Sequence, residues 1–212
     1  YLMIPLDGGR LFSGNLRNRA NSHSQIVFPI DYTAPGSDKM CNVEAFIGLG
    51  SNLDEPVIQL SKAISALSCI EEAKLTNVSG FYRNPPLGDL SQPPFVNAVA
   101  RVETRLGAEE LFSAMVEIER SLGRPIKRQK WSARIIDLDL LIYGREVINS
   151  EVLTVPHPQI KNRSFVLYPL FEIAPKMVVP GLGAVEKLLS GKDVSNLVDT
   201  RFVWKREIKE LV

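Results

Sequence analysis

Between Ile135 and Tyr143 every residue is isoleucine, leucine or tyrosine except Asp137 and Asp139. At the two-residue period of a strand those two carboxylates leave the same face, and Ile136, Leu138, Leu140 and Ile142 leave the other. A slip of one residue would bring four apolar side chains to the acidic face, so the register is pinned and the acids with it. An ionised carboxylate in a core strand costs several kcal/mol unless it is paired or binds a metal.

The cations that could satisfy this demand stand just upstream: Arg124, Lys127, Arg128, Lys130 and Arg134. Two solutions remain open at this point. The acids are consumed in salt bridges to those bases, or they hold Mg²⁺ carrying a polyphosphate whose remaining charge the arginines neutralise.

With 212 residues, 45% of them hydrophobic, the chain is long enough for one well-buried domain. Residues 1–40 show no sustained helical or strand period, and they end in Ala34-Pro35-Gly36-Ser37-Asp38, which is linker chemistry. The expected organisation is therefore an N-terminal extension or linker over 1–40 and one folded domain over 41–212, with Met40 as a candidate native start. A net charge of +1 gives no global reason for nucleic acid or an anionic membrane as partner. Cys41 and Cys69 lack paired spacing and no apolar run approaches the ~20 residues of a membrane span, so a cytoplasmic setting is expected.

Strands are expected over Val43–Leu49, Leu75–Tyr82 and Phe95–Val102 besides the acidic one. A helix carries Val57, Leu60, Ile64 and Leu67 on one face, and a second carries Leu111, Met115, Ile118 and Leu122 until Gly123 ends it. The order strand, helix, strand, strand, helix, strand is the ferredoxin-like βαββαβ pattern. The fold class is thus α+β, an antiparallel sheet with helices on one face and extra C-terminal elements. Residues 160–174 read as a helix in two pieces around Pro169. The glycines of Gly48-Leu49-Gly50-Ser51-Asn52-Leu53 match neither a dinucleotide fingerprint nor a phosphate loop, and they read as tight-turn glycines.

The loop from Arg83 to Pro94 is stiffened by four prolines. Beside it Phe95 and Asn97 share a strand face, an arrangement that suits a flat heterocycle stacked on the ring and read by the amide, and equally suits a core aromatic with a satisfied amide. His157 lies between Pro156 and Pro158, with Arg163 and Phe165 close behind, where an anion or aromatic ligand would be met.

Four ordered blocks carry a resemblance: Phe46-Ile47-Gly48-Leu49-Gly50-Ser51-Asn52-Leu53, Phe81-Tyr82-Arg83-Asn84-Pro85-Pro86-Leu87-Gly88, Arg134-Ile135-Ile136-Asp137-Leu138-Asp139 and Leu153-Thr154-Val155-Pro156-His157. From about Val43 onward the sequence resembles the 6-hydroxymethyl-7,8-dihydropterin pyrophosphokinases. The resemblance implies transfer of the β,γ-diphosphate of ATP to the pterin hydroxymethyl group in folate biosynthesis, releasing AMP and using two Mg²⁺ ions. It implies Asp137 and Asp139 as metal ligands, and Arg124 and Arg134 on the triphosphate. Asn84, Pro85, Leu87, Phe95, Asn97, Trp131 and Phe165 would meet the pterin. Glu119, Leu140, Thr154, His157 and Arg163 would join the ATP side. A second reading of the context makes the chain a piece of a multifunctional folate enzyme, with neighbouring folate-pathway domains as partners and residues 1–39 as the tail of a preceding one. Departures from the family pattern fall at Phe95, Val116, Val152 and Pro158, the last three on the nucleotide side.

Overall fold

The computed structural model describes residues 42–86, 91–125 and 133–202. Strand β1 (Val43–Ser51) is buried without a break from Ala45 to Ser51, which requires cover on both of its faces. Helix α1 (Pro56–Leu67) begins on a proline whose missing N–H costs nothing there, and it buries Leu60, Ala63, Ile64 and Leu67 as one stripe. Strands β2 (Ala73–Val78), β3 (Tyr82–Asn84) and β4 (Phe95–Thr104) follow. Helix α2 (Ala108–Ser121) then buries Leu111, Met115 and Ile118, and Glu110 accepts the Gly107 N–H at 2.8 Å before its first turn.

Strand β5 (Asp137–Tyr143) completes the main sheet, whose order is β5-β1-β4-β3 with β2 also on β4 and every pairing antiparallel. The small strands β6 (Ile148–Asn149) and β7 (Thr154–Val155) form a hairpin. After a 3₁₀ turn at Ile160–Asn162 come helix α3 (Ser164–Ile173), a second hairpin of β8 (Val178–Val179) and β9 (Gly183–Ala184), and helix α4 (Val185–Leu189). Strand β10 (Val198–Asp199) then pairs with β3 and extends that edge. The molecule is a mixed α/β fold, an antiparallel sheet with four helices among the described residues. None of those helices is long and apolar enough to cross a membrane.

Four expectations need correction. Helices α1 and α2 cover one sheet face through Ile47, Leu49, Leu138 and Leu140, but α3 covers part of the other through Phe46, Val99, Leu141 and Ile142. Ile142 is among the residues that changed face. The β1–β5 register runs Gly50↔Asp137, Gly48↔Asp139 and Ile47↔Leu140, then jumps to Phe46↔Ile142, so Leu141 is the extra residue of a bulge. Alternation holds for the aspartates and fails beyond the bulge.

The expected strand Leu75–Tyr82 is broken at 79–81, where Ser79 Oγ accepts the Val99 N–H at 2.9 Å in place of a ladder bond. The helix after His157 breaks at Arg163, whose backbone is extended, and it runs straight through Pro169. An internal proline costs a helix ~3 kcal/mol in isolation. Here Val166, Leu167 and Leu170, each 7% exposed or less, hold the helix on the sheet around it. Glu172 ties α3 down further, accepting from the Gly80 N–H at 3.0 Å and from Tyr82 Oη at 2.8 Å.

Leu141 is 0% exposed. Leu141→Ala should therefore cost about 2–5 kcal/mol and lower the urea midpoint accordingly. A loss below ~1 kcal/mol, on the same scale, would mean that the bulged residue is not a packing element.

Candidate active site

Helix α3 covers only part of its sheet face, and the remainder is the floor of a cleft of about 730 Å³, its open mouth included. Gly48 and Gly50 from β1, Asn97 from β4 and Asp137 and Asp139 from β5 form that floor. The registers put Gly50 between Asn97 and Asp137, and Gly48 beside Asp139. These glycines are strand residues, which corrects the turn assignment. A Cβ at Gly50 would stand 2.9 Å from Asn97 Oδ1, and one at Gly48 would stand 3.3 Å from the Leu141 side chain. Their spacing of two on one strand face was the available signal.

On the β4 side the Asn97 amide donates to Asn84 Oδ1, and Asn84 Nδ2 donates to the Pro85 carbonyl at 2.9 Å. Both asparagines are 7% exposed. Each amide thus fixes the other, and Asn97 Oδ1 is turned toward the glycine beneath it. Half-buried Phe95 and Phe165 line the same cleft, Phe165 from the first turn of α3. The Pro85 side chain is exposed. Leu87 and Trp131 lie outside the described residues.

The β5 side is a chain of charges. Arg124 pairs with Glu119 and reaches Asp137 Oδ1 at 2.6 Å, while Arg134 pairs with Asp137 Oδ2. Glu119, 3% exposed, also accepts the Leu138 N–H at 2.7 Å, so α2 and β5 are locked through it. Burial pushes the Asp137 carboxyl up, but the guanidiniums of Arg134 and Arg124 more than offset it and hold it below the usual carboxylate range. Salt bridging therefore satisfies Asp137.

Asp139 differs. Its nearest cations are Arg163 at 3.4 Å and His157 Nε2 at 3.8 Å. Burial and then the Asp137 charge push its carboxyl above the usual range, against the weaker pull of His157, Arg163 and Arg124. Burial in turn pushes His157 down, against the pull of Asp139, and its Nδ1 accepts the Gln159 N–H at 3.1 Å. That bond leaves the ring proton on Nε2, facing Asp139. Arg163 lies 5.9 Å over the Phe165 ring and so connects the aromatic and acidic halves.

Thr154 lies on β7, next to Val155, which is fully buried. Leu140 is 2% exposed and packs with the helices on the far face from the carboxylates, so its side chain takes no part in the cleft. Val152 and Pro158 are exposed, Val116 half-buried on α2. Two residues were missed from sequence: Gln92, which lines the cleft, and Asn52, buried and bonded to Gln92 and Arg134.

Residues 46–175 match the family model described as 7,8-dihydro-6-hydroxymethylpterin-pyrophosphokinase (HPPK). The chain belongs to the pterin pyrophosphokinase family. It is 44% identical over 147 residues to the 2-amino-4-hydroxy-6-hydroxymethyldihydropteridine pyrophosphokinase of Haemophilus influenzae, covering 69% of this chain and 91% of that protein. It is 42% identical over 160 residues to the folic acid synthesis protein fol1 of Pneumocystis carinii, covering 76% of this chain and 21% of that protein. The fold is similar to that of Plasmodium falciparum HPPK-DHPS, with a TM-score of 0.56 at 14% identity over 72% of this chain and 45% of that one. As a pterin pyrophosphokinase the chain is a transferase, and its reaction is pyrophosphoryl transfer to a hydroxymethyldihydropterin in folate biosynthesis.

The opposite shifts of the two aspartates have a measurable consequence. Because the folded protein holds the Asp139 proton more tightly than the unfolded chain, its contribution to stability is full below the ordinary value of 3.8 and lost as pH rises through the raised folded value. In chelator at neutral pH, Asp139→Asn should melt at a higher temperature than the wild type, and the difference should shrink on acidification toward pH ~4. A melting difference that does not change with pH would show that the Asp139 charge is not a burden to the fold.

Proposed function

We propose that the cleft takes the pterin on its Asn97–Phe95–Phe165 side and the triphosphate of ATP on its Asp137–Asp139 side. The pterin assignment is supported by the paired asparagine amides and by two half-buried aromatics beside them, a flat-heterocycle arrangement. The observation that carries the nucleotide assignment is the charge chain: among the described residues, Arg124, Arg134 and Arg163 all point at two carboxylates on one strand face.

Asp137 and Asp139 would hold Mg²⁺, two ions being the expected number. Hard carboxylate oxygens suit that metal, and the carboxyl of Asp139, pushed up beside Asp137, is short of positive charge. Among the described residues no group of three or more His, Cys, Asp or Glu could hold a metal, so the remaining ligands would be phosphate and water. Bound there, the metal supplies neutralisation of phosphate charge. The residues of the chain do the rest. Arg124 and Arg134, released from Asp137, turn to the phosphate oxygens, and Arg163 stays near the junction between the two substrates. Glu119 holds Arg124 in reach throughout, and His157 donates from Nε2 on the same side.

The reading extends to the surrounding chain. Residues 1–40 would be an extension or the tail of a preceding folate-pathway domain. This is supported by a family match that begins at residue 46 and by a relative, fol1, in which the matched region is 21% of the protein. The ferredoxin-like description of the core is supported by the strand order β5-β1-β4-β3 with every neighbour antiparallel. A cytoplasmic setting agrees with the free, exposed Cys69.

Incubation with ATP, Mg²⁺ and 6-hydroxymethyl-7,8-dihydropterin should release AMP in step with pterin loss. Release of ADP would mean transfer of a single phosphoryl group, and release of neither would reduce the site to a binding module. Gly50→Ala tests the pterin side separately. Its methyl group must displace the Asn97 amide, so the pterin KM should rise about tenfold or more while kcat changes little. An unchanged KM would remove Asn97 from the pterin site.

A further inference from the structure

Asn52, one residue past the end of β1, is 2% exposed, and its carboxamide faces two different loops. Its Oδ1 accepts the Arg134 N–H at 2.8 Å, and its own backbone N–H donates to the Arg134 carbonyl at 3.1 Å. Its Nδ2 donates to the Pro93 carbonyl at 3.1 Å and to Gln92 Oε1 at 3.3 Å. Both donors of the amide and one acceptor position are thereby in use.

The topology gives these bonds their meaning. Strand β1 lies between β4 and β5 in the sheet. Gln92 and Pro93 belong to the loop that enters β4, where Phe95 and Asn97 begin, and Arg134 belongs to the segment that enters β5, where Asp137 begins. The β1–β5 ladder stops at Gly50↔Asp137, so the Asn52 bonds provide the next fixed point for the Arg134 backbone. Gln92 and Arg134 both line the cleft. One buried amide thus joins the loops that lead to its two halves.

We infer that Asn52 is a positioning residue that ties the loop before β4 to the Arg134 segment, so that the pterin and triphosphate halves of the cleft are set together. This rests on the two-sided reading of the cleft given above. Asn52 touches no reacting atom in that reading and acts through Arg134 and the 91–94 loop. A buried asparagine that is merely satisfied would cost stability when replaced and nothing else. A tie costs in each half of the cleft, according to which of its bonds is cut.

Two substitutions cut different bonds. Asn52→Asp keeps an oxygen for the Arg134 N–H but places a second oxygen against Pro93 O and Gln92 Oε1, where donors are required. It should raise the pterin KM about tenfold or more and leave kcat within about threefold, with the Arg134 amide still protected from hydrogen exchange. Asn52→Ala removes the side-chain bonds to both loops and leaves only the backbone bond to the Arg134 carbonyl. It should raise the pterin KM likewise, lower kcat about tenfold or more and accelerate exchange at Arg134. Variants that stay folded with wild-type KM and kcat, or an Asn52→Asp enzyme whose kcat falls as far as that of Asn52→Ala, would overturn the tie.

Should the Asn52 variants fail to fold, Gln92→Ala in substrate-free protein provides the second measurement. Removing this acceptor from the far side of the amide should speed exchange of the Arg134 N–H. An unchanged rate overturns the proposal. This readout needs no turnover, so it remains valid even if the wild type releases no AMP, the result that would instead overturn the function proposed above.

Discussion

Everything in the cleft depends on Asp137 and Asp139 standing two residues apart on a strand that cannot move. The other face of β5 is held by Leu138 and Leu140, 4% and 2% exposed, beneath α1 and α2. Slipping the strand would bury the acids and expose the leucines, so hydrophobic packing on one face acts as the clamp for electrostatics on the other. The like charges are thus held close against their repulsion, and the arginines around them are the response. Among the described residues the site contains three carboxylates, Glu119, Asp137 and Asp139, and three guanidiniums, Arg124, Arg134 and Arg163, which nearly cancel. A nearly neutral site has little pull on a polyphosphate until the carboxylates take another cation and the arginines are freed.

The second constraint is space. A sheet face that must contain both a packed helix and a ligand cleft needs a sharp boundary, and β1 supplies it by composition. Phe46 faces α3, Gly48 accommodates Leu141 closely, and Gly50 accommodates the Asn97 amide. Within five residues the same strand face changes from large side chain to none. The bulge at Leu141 marks that boundary on β5, directing two successive side chains, Leu141 and Ile142, into the α3 cluster just where the aspartates end.

Much of this was legible in the sequence because it follows from periodicity. The two acids on one face, the Phe95–Asn97 pair and the buried stripes of α1 and α2 required only the periods 2 and 3.6, whereas the meeting of that pair with Phe165 was implied by the family resemblance alone. What escaped lies in breaks of period and in long-range pairing. The bulge depends on how β5 meets β1, the break at 79–81 on a serine replacing a ladder bond, and the helix through Pro169 on its packing against a sheet face assumed to be bare. Asn52 escaped because its partners are about 40 and 82 positions away, at Gln92 and Arg134, and no local pattern encodes such a contact. Leu140 illustrates the converse: a resemblance pointed to it, while the strand period had already assigned its side chain to the core.

The asymmetry between the two aspartates is the last element, and it comes from their neighbours rather than from their depth. Asp137 faces the segment before β5 and the end of α2, which deliver Arg134 and Arg124 at hydrogen-bonding distance. Asp139, two residues on, faces the start of α3 and the His157 turn, which deliver one guanidinium at 3.4 Å and an imidazole whose proton affinity is lowered by burial. Two carboxyls on one strand face therefore shift in opposite directions, one anchored by charge and the other under-compensated. In the absence of ligand, then, the attraction for a cation is concentrated at Asp139, beside Arg163 and Phe165, where the acidic and aromatic halves of the cleft meet.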